Sequence, residues 1–175
     1  LEFKLEFKTI SVDLNDDGDI IVIGAPYNDD AASTAGQVQV YEWSGSSWAQ
    51  KGSDINGDAS ADNFGTSVAI NASGTVVAGG ATGNDDSGSG AGHVKVYALS
   101  GSSWIQRGSD IDGEAASDAS GISIDLNDAG DILSIGAKWN DGAGSNAGHI
   151  RVYYWNGSSW AQRGNDIDGT SSSDL

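Results

Sequence analysis

The sequence predicts an all-β fold made of three tandem, four-stranded antiparallel units, and two observations support this prediction. Trp48, Trp104 and Trp160 follow one another at a constant interval of 56 residues, with no insertion between the copies. The 175 residues include 26 glycines and one proline, and each copy contains four short strand-like runs. A period slightly above roughly 50 residues with four strands per unit is typical of propeller blades rather than helical solenoids.

The first copy shows how each strand is predicted. Residues 11–15 form a short run, and a polar turn separates them from residues 20–25, which are apolar on both faces and need cover on both sides. Residues 37–43 alternate between apolar and polar side chains, as a strand with one packed face does. After a Ser-Gly-Ser-Ser turn, the fourth strand starts at Trp48 and carries Lys51, a basic residue that guards an outer edge.

The repeat divides the chain into blade 1 (residues 10–65), blade 2 (66–121) and blade 3 (122–175), preceded by residues 1–9 outside the repeat. Residues 1–8 alternate strictly between apolar and charged side chains, which predicts a strand that pairs with a sheet edge, an engineered segment being the alternative. Propellers close with roughly four to eight blades. We therefore expect part of a larger propeller or repeat assembly, completed by further blades of a parent protein or by other copies of the chain.

The charge balance argues against two classes of partner. The formal net charge is −17, with 25 acidic residues against eight lysines and arginines. Such a chain repels phosphate backbones and anionic lipid surfaces, which makes nucleic acid a poor partner. Apolar runs of the roughly 20 residues that span a bilayer are absent, so membrane insertion is not expected. The lack of cysteine excludes disulfides and thiolate catalysis.

Two glycine motifs give the repeat a family resemblance. Phe64-Gly65 is followed by Gly80-Ala81, and the first copy contains Gly24-Ala25-Pro26. These pairs resemble the motifs of FG-GAP repeats, which build the propeller of integrin α-subunits. The Phe-Gly pair is complete only once, since the next copy has Ser120-Gly121.

A closer resemblance is to tandem FG-GAP arrays of secreted microbial and algal proteins. Their pattern Gly-His-Val-x-Val-Tyr, Gly-Ser-Ser-Trp and Gly-x-Asp-Ile-Asp-Gly occurs here at residues 92–97, 101–104 and 108–113. The resemblance covers about residues 10–175. It implies a propeller fold, an extracellular or cell-surface location and a role in adhesion or recognition, and it implies no chemistry.

An acidic loop of each blade is the candidate metal site. Oxygen ligands at spacings 1, 3, 5 and 9 suit calcium, although the glycine stands at position 4 instead of 6. The alternative is that Asp54 and its copies cap a turn through hydrogen bonds to the backbone. No cofactor is required, and calcium is the candidate ion. The candidate ligands are Asp54, Asn56, Asp58 and Asp62, then Asp110, Asp112, Glu114 and Asp118, and finally Asp166, Asp168 and Asp174.

The long loop after the second strand of each blade is the candidate binding rim, because loops on one rim of a repeat array often carry the binding surface. A solvated connection is the alternative interpretation. The rim candidates are Asn28, Asp29, Asn84, Asp85, Trp139, Asn140 and Asp141. Asn71 and Asn156 each begin an Asn-x-Ser sequon in a predicted turn, and we expect both at the surface as N-glycosylation positions.

The sequence provides little support for an enzyme. His93 and His149 occupy one repeat position, where blade 1 has Gln37, so a hydrogen-bonding role is favoured over that of a catalytic base. The predicted function is a non-enzymatic extracellular structural or adhesive module. The alternative is a lectin or ligand-binding propeller whose rim binds a glycan or a surface protein, with calcium as its candidate ion.

Overall fold

The computed structural model describes residues 11–171, and in this range it contains fifteen β-strands and no helix. The strands form three antiparallel sheets in tandem, as propeller-type blades do. The predicted fold class is therefore confirmed. Within the described range, no helix is long and apolar enough to cross a membrane. Residues 1–9 and Asp174 lie outside the described range.

The strand bounds repeat from blade to blade. Blade 1 contains β1 (Ser11–Leu14), β2 (Ile20–Ala25), β3 (Gln37–Trp43), β4 (Trp48–Gln50) and β5 (Ile55–Asn56). Blade 2 contains β6 (Phe64–Ile70), β7 (Val76–Ala81), β8 (His93–Ser100), β9 (Ser103–Gln106) and β10 (Ile111–Asp112). Blade 3 contains β11 (Ser120–Leu126), β12 (Ile132–Ala137), β13 (His149–Trp155), β14 (Trp160–Gln162) and β15 (Ile167–Asp168). The first strands of blades 2 and 3 thus begin two residues before the boundaries expected from the repeat.

The outer strand of each blade is interrupted. In blade 1, β4 pairs with one end of β3 and β5 pairs with the other end, on the same antiparallel edge. Residues 52–54, between β4 and β5, leave the ladder and carry the acidic side chain of Asp54. Because the same interruption recurs in blades 2 and 3, each blade presents an acidic loop beside its third strand.

An asparagine closes the turn between the first two strands of each blade. The side-chain oxygen of Asn71 accepts hydrogen bonds from the backbone amides of Thr75 (2.9 Å) and Val76 (2.8 Å). Asn15 and Asn127 make the same bonds in their blades. Asn71 is consequently buried, which contradicts the expected surface position, whereas Asn156 is exposed. Glycosylation at Asn156 stays a prediction.

The apolar core lies between the blades, where the sheets stack. We call the face of a blade that contacts the preceding blade its front face, and the opposite face its back face. The first core cluster joins the back face of blade 1 to the front face of blade 2, and the second joins blade 2 to blade 3 in the same way. Val38 and Val40 contribute to the first cluster from the back, and Val77 and Trp104 from the front. Stacking thus covers the strands that are apolar on both faces.

The two glycine motifs meet at this contact between blades. A Cβ atom on Gly24 would lie 2.1 Å from the carbonyl oxygen of Gly65, and one on Gly80 would lie 2.1 Å from that of Gly121. Gly65 and Gly121 also have positive φ angles, which glycine adopts readily. The motifs are therefore explained by close backbone approach, since no side chain fits between one blade and the start of the next.

Candidate site between the blades

The first candidate site is built around His93, which begins β8 at the edge of the contact between blades 1 and 2. Its side chain is only 1% exposed, and its Nδ1 atom lies 3.8 Å from Oδ2 of Asp110. Asp58 reaches the same place from the segment between β5 and β6, so that ligand atoms of Asp58, His93 and Asp110 all lie within 4.8 Å of one another. Nδ1 of His93 has no hydrogen-bond partner in the described part of the chain.

The second candidate site repeats the first one blade later. Nδ1 of His149 lies 3.8 Å from Oε2 of Glu114 and 3.6 Å from Oδ2 of Asp166. Both ring nitrogens of His149 are buried and lack a hydrogen-bond partner among residues 11–171. Glu114 comes from the preceding blade, as Asp58 does in the first site. Both sites therefore join side chains from two blades.

Each site also contains one basic side chain. The Lys95 ammonium pairs with Asp58 and lies 3.6 Å from Oδ2 of Asp110. Arg151 occupies the equivalent position in blade 3, with Nη1 3.3 Å from Oε1 of Glu114. These cations neutralise part of the acidic charge.

The environment of His93 favours its neutral form. Burial lowers the pKa of His93 below its ordinary value and Lys95 adds to this effect, although Asp110, Asp62 and Asp58 act in the opposite direction. A neutral imidazole offers a lone pair on one ring nitrogen, which is the form that binds metal ions.

The side-chain oxygen atoms of the candidate calcium ligands accept hydrogen bonds from different partners within the protein. Asp62 is buried and accepts a hydrogen bond from the backbone amide of Ala59, and Asp118 does the same with Ala115. The Asn140 side chain donates to Asp118 at 2.9 Å, which links blade 3 to this loop. The Asn84 side chain donates to Asp62 at 3.5 Å, so both aspartates link their own loop to the next blade.

The remaining loop candidates contact neighbouring amides. Asp54, Asp110 and Asp166 each accept a hydrogen bond from a glutamine side chain four residues earlier, a side-chain partner rather than the backbone one expected. Asn56 accepts from Gln37, and Asp112 converges on His93 together with Asp86. Asp168 pairs with His149 through the β13–β15 ladder. Calcium binding by these loops stays a prediction.

The rim candidates mainly shape their own loops. The side-chain oxygens of Asn28, Asn84 and Asn140 accept from the backbone amide two residues later, which is an Asx turn. Asp29, Asp85 and Asp141 accept from the backbone amide five residues later. Trp139 remains partly exposed, and the Lys138 ammonium lies 4.4 Å from its ring centroid.

Sequence reasoning identified Asp58, Asp110, Glu114 and Asp166 as candidate ligands but did not connect them with the histidines. The structure brings Asp58 and Asp110 to His93, and Glu114 and Asp166 to His149. The available signal was the shared repeat, because all three positions of the first site recur 56 residues later in the second.

The comparisons with known proteins show similarity in fold only. No protein-family model matches the sequence, and no curated protein matches it. A candidate 6-phosphogluconolactonase from Bacteroides fragilis matches with a TM-score of 0.62 and 10% identity, over 91% of this chain and 40% of that chain. A functionally unknown protein from Desulfotomaculum acetoxidans matches with a TM-score of 0.61 and 11% identity, over 93% of this chain and 42% of that chain.

A third structure, a candidate 6-phosphogluconolactonase from Bacteroides uniformis, gives a TM-score of 0.56 and 12% identity, over 91% of this chain and 40% of that chain. The chain thus spans about 40% of the length of these structures. The similarities support a propeller-type fold, and they do not show the FG-GAP family.

Proposed function

We propose that this chain is a non-enzymatic structural module of an extracellular or surface assembly, in which its two terminal blade faces bind further blades. The front face of blade 1 supports this proposal. Val12 is 60% exposed there, whereas Val68, its equivalent on the front face of blade 2, is 8% exposed. Leu14 and Trp48 are also exposed, whereas their equivalents in blade 2, Ile70 and Trp104, are buried. The apolar side chains that other blades bury are thus open in blade 1.

The back face of blade 3 has the complementary property. Ile167 is 61% exposed, whereas its equivalents Ile55 and Ile111 are buried. Ile150 is exposed where Val38 and Val94 are buried. A groove of about 380 Å³ lies beside Gly136, Gly148 and Ile150, at the position where blades 1 and 2 receive the first strand of the next blade.

These faces are suited to a head-to-tail contact. The chain itself forms this contact twice, since the Nε1 atoms of Trp104 and Trp160 donate to the carbonyl oxygens of Lys51 and Arg107 in the preceding blade, each at 2.8 Å. By repeat, Trp48 of one copy would donate to the carbonyl oxygen of Arg163 in the preceding copy. A heterologous contact of this kind generates a ring where the rotation closes and a filament where it does not.

A mixing experiment tests the head-to-tail contact. Val12→Asp with Leu14→Asp disables the front face, and Ile150→Asp with Ile167→Asp disables the back face. We expect the unchanged chain to form concentration-dependent oligomers in sedimentation velocity and each double variant to be monomeric, because a buried unpaired carboxylate is costly. An equimolar mixture of the two variants should form heterodimers through the one intact pair of faces.

Ile105→Asp is the matched control, because Ile105 is exposed on an outer strand and not on a terminal face. This variant should assemble like the unchanged chain. A compact monomer of the unchanged chain at micromolar concentration, or a mixture that stays monomeric, would overturn the proposal.

The absence of catalysis is the second part of the proposal. The two histidines are 1% exposed at the side chain, and a catalytic base has to reach a proton on its substrate. Because two structural neighbours are candidate 6-phosphogluconolactonases, the test is the hydrolysis of 6-phosphogluconolactone. We expect hydrolysis at the uncatalysed rate with the purified chain, and a rate proportional to protein concentration would refute this part.

The alternative of a ligand-binding rim has less support. The carboxylates of Asp29, Asp85 and Asp141 are already bonded to backbone amides of their own loops. Trp139 is the exposed aromatic residue of this rim in the third blade. The adhesive role and the extracellular location rest on the resemblance to FG-GAP arrays.

A further inference from the structure

The two clusters between the blades have the composition of a metal site. Each contains one imidazole from the third strand of a blade and two carboxylates. One carboxylate comes from the acidic loop of the same blade, and the other comes from the segment that follows the last short strand of the preceding blade. The cluster occurs twice at equivalent positions, with glutamate replacing aspartate once. Two carboxylates from different loops therefore converge on a histidine in two independent places.

The buried histidine nitrogen is the second observation that indicates a ligand. Nδ1 of His93 and Nδ1 of His149 are both buried and without a hydrogen-bond partner in residues 11–171, and each lies on the side of the carboxylates. Leaving a buried polar nitrogen unpaired costs free energy. A metal ion bound to this nitrogen would remove that cost.

We propose that each cluster binds one zinc ion, which joins adjacent blades through Asp58, His93 and Asp110 in the first site and through Glu114, His149 and Asp166 in the second. Zinc accepts imidazole nitrogen and carboxylate oxygen together in a tetrahedral arrangement, and water can occupy the fourth position. Calcium takes oxygen ligands, so the histidine selects against it. Asp58 and Glu114 are about half exposed, which gives the ion access from solvent.

A basic side chain competes with the proposed ion for the carboxylates at each site. The Lys95 ammonium contacts the same carboxylates as the proposed ion, so zinc binding has to displace it. Gln39 occupies the equivalent position in blade 1, which shows that glutamine fits the fold there. Lys95→Gln should therefore strengthen zinc binding at the first site.

The binding experiment measures zinc per chain. The purified chain is dialysed to equilibrium against zinc at neutral pH, and bound metal is quantified by mass spectrometry. We expect two zinc ions per chain, one in His93→Gln, one in His149→Gln and none in the double variant. Glutamine is the matched replacement because blade 1 carries Gln37 at this position. Zinc should also raise the melting temperature of the unchanged chain and not that of the double variant.

A second pair of variants keeps the test independent of the buried histidines. Asp58→Asn and Glu114→Gln change partly exposed side chains, and each should weaken zinc binding at its own site by at least tenfold. The proposal is overturned where the unchanged chain binds no zinc, or where the double histidine variant binds as much as the unchanged chain, because the ions then lie elsewhere on the acidic surface. The proposal is also overturned if the chain binds calcium but no zinc, and if the histidine variants bind the same amount of calcium as the unchanged chain.

Discussion

Trp104→Ala is expected to lower the free energy of unfolding by about 3–5 kcal/mol, the range typical of a buried tryptophan. The Trp104 ring belongs to the core cluster between blades 1 and 2, and its Nε1 atom donates to the carbonyl oxygen of Lys51 at 2.8 Å. The substitution removes the packed ring and leaves that carbonyl group without this partner. Urea denaturation followed by far-ultraviolet circular dichroism measures the loss.

Trp48→Ala is the matched control, because Trp48 occupies the same repeat position in a blade that has no preceding blade in the described chain. Trp48 is 42% exposed, whereas Trp104 is 8% exposed. We expect Trp48→Ala to cost less than about 1 kcal/mol when the chain is monomeric. Equal losses in the two variants would mean that the tryptophan acts within its own sheet, for example through the ring contact between Trp43 and Trp48.

Gly80→Ala is expected to destabilise the chain by at least about 2 kcal/mol or to prevent folding, because overpacking against rigid backbone is costly. The new Cβ atom would lie 2.1 Å from the carbonyl oxygen of Gly121, so the first strand of blade 3 would have to move away from blade 2. That movement opens the second core cluster. The melting temperature of the variant measures the effect.

Gly136→Ala provides the control at the equivalent position of blade 3. There the nearest atom to the new Cβ is the side-chain oxygen of Ser123, at 2.4 Å, and a serine hydroxyl can rotate away. We expect a clearly smaller loss of stability than in Gly80→Ala when the chain is monomeric. If the two variants melt at the same temperature, the close approach of blades 2 and 3 does not explain the glycine.

The sequence by itself determined the fold class and the positions of the first four strands of each blade, whereas the short strands β5, β10 and β15 were not predicted. Residues 20–25 and 37–43 form β2 and β3 as predicted, because strand periodicity is a local property of the chain. The interval of 56 residues also predicted which positions are equivalent, and the glycine motifs marked where backbone has to approach backbone.

The tertiary structure alone decided which side chains meet. The interval of 56 residues makes Trp48 and Trp104 equivalent in the sequence, yet Trp48 is exposed and Trp104 is buried, because the packing partner of this tryptophan belongs to a neighbouring sheet. From its equivalence to Gln37, His93 is expected to form hydrogen bonds, yet its Nδ1 atom has no such partner in residues 11–171. Only the stacking of two blades brings Asp58 to it. Contacts between blades depend on residues from separate loops and sheets, and the spacing of residues along one chain does not specify their distance in space.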